Sequence, residues 1–355
     1  MAHADAALER RLSELVGNRL GRRVARIEWL SGQLGLRRFA RLTLDAGEPL
    51  MLVARVDAAE DPAGRPSGSR PEPALEPIRS LLASHGLPVP RRYAADELAG
   101  IELLEDVGDV SLRDAALRAS AGERGALYRE ACELIPLLQR IGPTAVAAFD
   151  RRLDAELFDY KAQLFARCGL ALRGRESTPA ETAAVRSAFA AVARSASAAP
   201  ARLAHRDFQS LNLHVVAGRP PGARLVMIDL QGAFLAPPEY DLVCLLRDSY
   251  VELEPSELRA QLDRVRSELP DMPDPETFAH RFDLLTLTRK GKDLGRFVQT
   301  SCERGDHRFL QYVPATVRAL RGAACRAARR DPAFGSLAEL VESLPESSED
   351  PSCGQ

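Results

Sequence analysis

The chain has 355 residues, 45% of them hydrophobic, enough to build more than one packed core. A net charge of -2 and a pI of about 6.4 exclude the broad basic footprint of a nucleic-acid binder. No apolar run approaches membrane-spanning length and residues 1–20 lack a secretory apolar segment, so a cytoplasmic protein with no nucleic-acid or membrane partner is expected. The six cysteines are scattered without a C-x-x-C pair and are expected to be buried, reduced thiols. Lysine occurs only at Lys161, Lys290 and Lys292, so arginine supplies 48 − 3 = 45 of the basic residues.

Leu8, Leu12, Leu15 and Val16 recur at helical spacing and predict an amphipathic helix over 5–20. Three β-prone runs follow, Val24–Leu30, Leu36–Leu44 and Leu50–Val56, separated by turn residues, which predicts an antiparallel meander. Residues 60–74 are dense in Pro, Gly and Ser and read as a mobile loop. Leu75–His85 reads as a helix stopped by Gly86, and Arg92–Tyr93 and Ile101–Leu104 as two further strands. Glu105-Asp106-Val107-Gly108-Asp109 reads as a hinge. Beyond it the chain is mostly helical. Ser111-x-x-Asp114, Ser120-x-x-Glu123, Thr178-Pro179-Ala180-Glu181 and Asp274-Pro275 each carry a helix-start signature. The expected organisation is a β-rich lobe over 1–105, a larger helical lobe over 106–344, and a disordered tail over 345–355.

His205-Arg206-Asp207-Phe208-Gln209-Ser210-Leu211-Asn212 fits the kinase catalytic loop H-R-D-x-x-x-x-N at its four fixed positions. In that loop the Asp contacts the substrate hydroxyl and the Asn holds magnesium. Leu225-Val226-Met227-Ile228-Asp229 then brings a carboxylate at the end of a short apolar strand, where a second metal ligand is needed. Asp207 is thus the candidate base. Asn212 and Asp229 offer the hard oxygen donors that suit Mg²⁺. His205 is expected to support the loop, His214 to be structural, and Asp241 to cap a helix or brace the loop. Ser31-Gly32-x-x-Gly35 is either a phosphate cradle or an ordinary hairpin turn. There is no lysine on the third strand, where a kinase carries one. Arg55 is the basic residue there, with Glu76 as its candidate partner; the alternative for Arg55 is a surface strand position. Arg289, Lys292 and Arg296 fall on one helical face, which either meets an anionic ligand or is solvated.

His205–Asn212, Ile228–Gln231 and Pro238–Leu246 resemble the aminoglycoside phosphotransferase/choline kinase-like superfamily. Within it, Leu103–Asp109, Glu156-Leu157-Phe158 and Phe282–Phe297 look like the N-acetylmuramate/N-acetylglucosamine anomeric kinases. The resemblance implies an α+β, two-lobed protein-kinase-like fold, ATP, Mg²⁺ and a small hydroxylated acceptor, the anomeric hydroxyl of an N-acetylated amino sugar. It implies Asp207 as base and Asn212 and Asp229 as metal ligands. Arg55, Glu76, Gly32, Gly35 and Glu105 fall on the nucleotide side, and Gln209, Gln231, Arg289 and Lys292 on the acceptor side. Leu211 stands where that subfamily has a basic residue, and Gly232 where it often has a second acid. Two other readings remain at this level. One is an aminoglycoside or amino-alcohol kinase, which needs carboxylates around its pocket. The other is a pseudokinase interaction module, favoured by the missing lysine and opposed by the intact Asp207, Asn212 and Asp229.

Overall fold

A computed structural model describes residues 2–30, 37–45, 50–56 and 72–347. The Gly32 and Gly35 turn, the loop residues 60–71 and the tail beyond 347 lie outside the described residues. Contacts divide the chain into Met1–Ser69 with Pro88–Asp109, and Arg70–Leu87 with Val110–Gln355.

The first unit is a helix on a sheet. Helix α1 (Ala2–Leu20) precedes strands β1 (Val24–Trp29), β2 (Arg38–Leu44) and β3 (Leu50–Val56). Strands β4 (Arg92–Asp96) and β5 (Ile101–Glu105) complete a five-stranded antiparallel sheet in the order β1-β2-β3-β5-β4. Alternate residues of β2 are buried, the period-2 pattern of a sheet with one covered face. Leu12, Leu15 and Val16 of α1 pack with Ala40, Leu42, Leu52, Ala54 and Leu103 to make its core. The register sets Arg55 opposite Glu102, and the two pair at 2.5 Å with Arg55 only 5% exposed. The surface-strand reading of Arg55 therefore does not hold. At the end of this unit Arg41 donates from Nη2 to Asp109 at 2.7 Å and from Nε to Asp106 at 2.5 Å.

The second unit contains α2 (Leu75–Ser84), α3 (Leu112–Arg118), α4 (Ala121–Gln139), α5 (Ala155–Leu164) and α6 (Pro179–Ala198). After the His205–Asn212 loop come α7 (Tyr240–Leu246), α8 (Pro255–Arg266), α9 (Pro275–Arg304), α10 (Val313–Arg330) and α11 (Gly335–Glu342). The caps expected from sequence form: Ser120 and Thr178 make reciprocal capping boxes, and Ser111 and Asp274 accept from the third residue of their helices. Two short antiparallel pairs interrupt the helices. They are β6 (Arg202–Ala204) with β9 (Phe234–Ala236), and β7 (Leu213–Val215) with β8 (Leu225–Met227). Glu76 lies in the first turn of α2 and pairs with Arg79 at 2.6 Å. Cys132 and Cys244 are buried thiols as expected, whereas Cys325 is exposed and Cys302 is disulfide-bonded.

Helix α9 runs 30 residues through the unit and is buried along much of its length. Its depth is set by small residues. A Cβ on Gly295 would lie 2.8 Å from the carbonyl oxygen of Leu164, and one on Gly291 3.0 Å from the Phe189 ring. Glycine costs helix stability at these positions, and close approach to α5 at Gly295 and to Phe189 of α6 at Gly291 is the compensation. Gly295→Ala is therefore expected to destabilise the protein by about 1–3 kcal/mol despite its better helix propensity. Urea denaturation checks this, and an unchanged midpoint would refute the close contact.

Candidate active site

Strand β6 ends at Ala204 and the chain turns sharply. Arg206 adopts φ 81°, a left-handed conformation uncommon for a residue with a side chain. What holds it is Asp241, in the first turn of α7 and 1% exposed. Its carboxylate accepts the backbone N–H of His205 at 2.7 Å and of Arg206 at 3.1 Å. Asp241 is thus a brace for the loop. Burial raises its carboxyl to about 6, against the pull of His205 and these N–H groups, so it remains charged at neutral pH. At the far end of the loop the buried Asp248 accepts from Ser210, at 2.8 Å from the backbone N–H and also from the hydroxyl.

Between these anchors the loop closes on itself. The carbonyl of Asp207 accepts from Gln209 N and from Asn212 Nδ2, both at 2.8 Å. That fixes the Asn212 carboxamide with its oxygen turned away from the loop backbone. Asn212 is also joined to the next segment, since its carbonyl accepts from Ile228 N at 3.0 Å. His205 Nε2 donates to the Ile228 carbonyl at 2.9 Å. His205 therefore ties the Asp207 loop to the Asp229 segment, a supporting role. Asp229 itself sits at φ 62°, and Gln231 Nε2 donates to its Oδ1 at 2.5 Å. Non-glycine residues in the left-handed region cluster at functional sites.

Asp207 is one-third exposed and its two oxygens face different neighbours. Oδ1 accepts from Arg289 Nη1 at 3.1 Å. Oδ2 has Arg206 Nε at 4.0 Å. Burial works against ionisation here, but the charges of Arg289, Lys292 and Arg206 outweigh it and hold the carboxyl well below its usual range. Arg289 also donates to the Arg206 carbonyl at 3.2 Å and to Gln209 Oε1 at 3.2 Å. It is 4% exposed, so the solvated-face reading fails for it. Lys292 is part exposed, with Nζ 3.4 Å from Asp293, and Arg296 turns to Gln299. Asp293 is shared by Arg289, Lys290 and Lys292 at 3.5, 2.8 and 3.4 Å. The Cys244 thiol, pushed up to about 12 by burial, stays protonated and donates to the Arg206 carbonyl at 3.3 Å.

Asp207, Gln209, Asn212, Asp229, Gln231, Arg289 and Lys292 thus share one unit and one bonded network. Arg55, Gly32, Gly35 and Glu105 belong to the other unit. Glu105 lies at the end of β5 and accepts from the backbone of Arg91 at 3.1 Å. Among the described residues no group of three or more His, Cys, Asp or Glu is placed to hold a metal. One carboxamide and one carboxylate oxygen on adjoining segments still fit Mg²⁺, which takes its remaining ligands from phosphates and water. Sequence reasoning missed Asp248, Asp293 and Lys161. Asp293 carried a signal, its i+4 spacing from Arg289. Lys161 carried none beyond being one of three lysines.

Lys161 lies on α5 and is 7% exposed. Its Nζ is 3.5 Å from the Tyr240 hydroxyl and sits over the Phe158 and Tyr240 rings at 5.3 and 5.1 Å. No carboxylate among the described residues lies within ion-pair distance of it. Burial, with the charges of Arg289 and Lys292, lowers its amine from 10.5 to about 7.

Comparison with known proteins agrees with this geometry. Residues 76–278 match the model of the phosphotransferase enzyme family. The chain is 30% identical over 278 residues to an N-acetylmuramate/N-acetylglucosamine kinase from Pseudomonas aeruginosa, covering 77% of this chain and 78% of that one. Among solved structures, choline kinase LicA from Streptococcus pneumoniae superposes with a TM-score of 0.57 at 16% identity, covering 91% of this chain and 99% of that one. The ADP-bound aminoglycoside phosphotransferase APH(2'')-Ib gives 0.52 at 14% identity, covering 96% and 98%. At such identities the structural likeness establishes the two-lobed α+β kinase-like fold.

The lysine generates a stability prediction. The unfolded chain protonates Lys161 near 10.5 and the folded one near 7. Between these values the unfolded state binds more protons, so stability rises with pH. Wild type is therefore expected to gain stability relative to Lys161→Met as pH increases from about 7 to about 10. Guanidinium denaturation across that range reads the gap, and a constant gap would contradict a buried, unpaired amine.

Proposed function

We propose, on the premise that the chain belongs to the phosphotransferase enzyme family and is a small-molecule kinase, that it transfers the γ-phosphoryl group of ATP to an N-acetylated amino sugar. The acceptor atom is the anomeric hydroxyl, and the ATP supply places the reaction in the cytoplasm. The observation that carries this reading is the Asp207 carboxylate. It is held rigid and ionised by Arg289, one-third exposed, and bonded through its own loop to Asn212 and, through Ile228, to the segment ending in Asp229.

Asp207 Oδ2 receives the acceptor hydroxyl and orients its oxygen toward the γ-phosphorus. The new P–O bond forms as the bond to the ADP oxygen breaks, and the hydroxyl proton passes to Asp207. A carboxylate this weakly basic is a poor proton acceptor early in the reaction. It suffices because phosphoryl transfer is loose, so positioning dominates and the proton leaves late. Asn212 and Asp229 are the residues that would hold Mg²⁺, whose contribution is to neutralise phosphate charge. On the nucleotide side, Arg55, steadied by Glu102, takes the phosphate-binding role of the absent lysine, with Gly32, Gly35, Glu76 and Glu105 as further contacts. Gln209, Gln231, Arg289 and Lys292 form the acceptor side. Arg206, Arg289 and Lys292 surround Asp207 with positive charge, which opposes a polycationic aminoglycoside.

ADP release from ATP, with magnesium and a panel of N-acetylmuramate, N-acetylglucosamine, other hexoses, choline and kanamycin, tests the reading. Stimulation by an amino sugar is expected; stimulation by kanamycin or choline alone would overturn the acceptor assignment. Asp207→Ala should lose about 10²–10⁴-fold in turnover while still binding ATP. Arg289→Gln removes a charge that depresses the Asp207 carboxyl. Its acidic limb in kcat/KM should therefore move to higher pH, and an unmoved limb would separate Arg289 from the base.

A further inference from the structure

Gly232 lies in a one-turn helix, Leu230–Gly232, directly after Asp229. Its φ is not in the left-handed region, so the backbone does not require glycine. Space does not require it either. A Cβ there would meet Arg206 Cδ at 3.5 Å, Arg206 Nη1 at 3.7 Å and Asp207 Oδ2 at 4.0 Å, all ordinary contacts. The missing side chain therefore has a consequence rather than a steric cause. Among the described residues, it leaves the Arg206 guanidinium beside Asp207 Oδ2 with no carboxylate closer than the 4.0 Å approach to Asp207 itself. Arg206 makes no side-chain hydrogen bond among the described residues; its guanidinium lies 5.9 Å from the Phe234 ring and is 31% exposed. Its backbone, by contrast, is pinned by Asp241, Arg289 and Cys244. A rigidly rooted arginine with an unused planar fork, next to the oxygen that receives the acceptor, is built to meet an anion.

We propose that Gly232 and Arg206 form a specificity determinant: the absent side chain at 232 keeps Arg206 available to pair with a carboxylate carried by the acceptor. This rests on the functional reading above, with Asp207 Oδ2 facing the acceptor. An acid at 232 would extend from a Cβ already 3.7 Å from Arg206 Nη1, pair with the guanidinium and cancel the effect. The enzyme accordingly favours an amino sugar bearing a carboxylate over the neutral sugar with the same ring.

The test is the ratio of kcat/KM for N-acetylmuramate, which has the carboxylate, to that for N-acetylglucosamine, which lacks it. Wild type is expected to favour the acid. Gly232→Asp and Arg206→Gln should each lower the ratio about tenfold or more, mainly through KM for N-acetylmuramate, the scale of one charge-assisted hydrogen bond. Gly232→Ala adds the contact without the charge and should shift the ratio less than about threefold. Arg206→Lys should keep part of the preference, and rising salt should erode it. Melting temperatures confirm that each variant folds. Equal losses for both acceptors would assign Arg206 to the transferred phosphoryl group and overturn the proposal. An unchanged ratio in Gly232→Asp would overturn it independently of how Arg206 variants fold. Wild type active on neither sugar would defeat the functional reading itself, and the proposal with it.

Discussion

One buried carboxylate holds the His205–Asn212 loop in shape. Asp241 accepts two successive backbone N–H groups, from His205 and Arg206, and so stabilises a left-handed residue that on its own costs about 1–3 kcal/mol. The direction in which Asp207 leaves the backbone depends on that turn. Asp248, beyond the other end of the same short helix, holds Ser210. Residues in α7 and just beyond its end therefore grip the loop at two points, and the loop's geometry is set by a rigid element instead of by its own backbone. This is the preorganisation that phosphoryl transfer requires, since positioning is most of what the protein contributes.

Helix α9 supplies the second constraint, charge. It delivers Arg289 and Lys290 into the interior and leaves Lys292 part exposed, and all three cations share the carboxylate of Asp293. Buried cations need partners, and Asp207 is one for Arg289. The arrangement keeps Asp207 ionised at the expense of its basicity. It also makes the surroundings of the Asp207 carboxylate cationic, with Arg206 adding to the effect. The sign of the charge around a base selects among acceptors before any shape is considered. Glycines 291 and 295 let α9 sit deep enough for this, so packing between helices and electrostatics at the loop are one problem.

Much of the local structure was legible in the sequence. Strand alternation, the capping boxes at Ser120 and Thr178, and the H-R-D-x-x-x-x-N loop involve residues within a few positions of one another. The role of His205 followed from the motif, and the brace role of Asp241 was one of two readings. The departures were all long-range. Arg55 and Arg289 each allowed an exposed reading in one dimension, and both are buried. Glu102 as the partner of Arg55 is a matter of strand register, which no local pattern near Arg55 records.

The sequence by itself determined most of the elements and the order of the H-R-D-x-x-x-x-N loop and the Asp229 strand, because propensity, capping and motif spacing act through neighbours along the chain. Only the tertiary structure decided which charges meet. Lys161 has no carboxylate within ion-pair distance among the described residues and a lowered basicity, Asp293 gathers three cations, and Gly232 faces Arg206. Those outcomes depend on how helices from distant parts of the chain pack. Burial then multiplies every charge interaction that results, so residues far apart in sequence set the ionisation of Asp207.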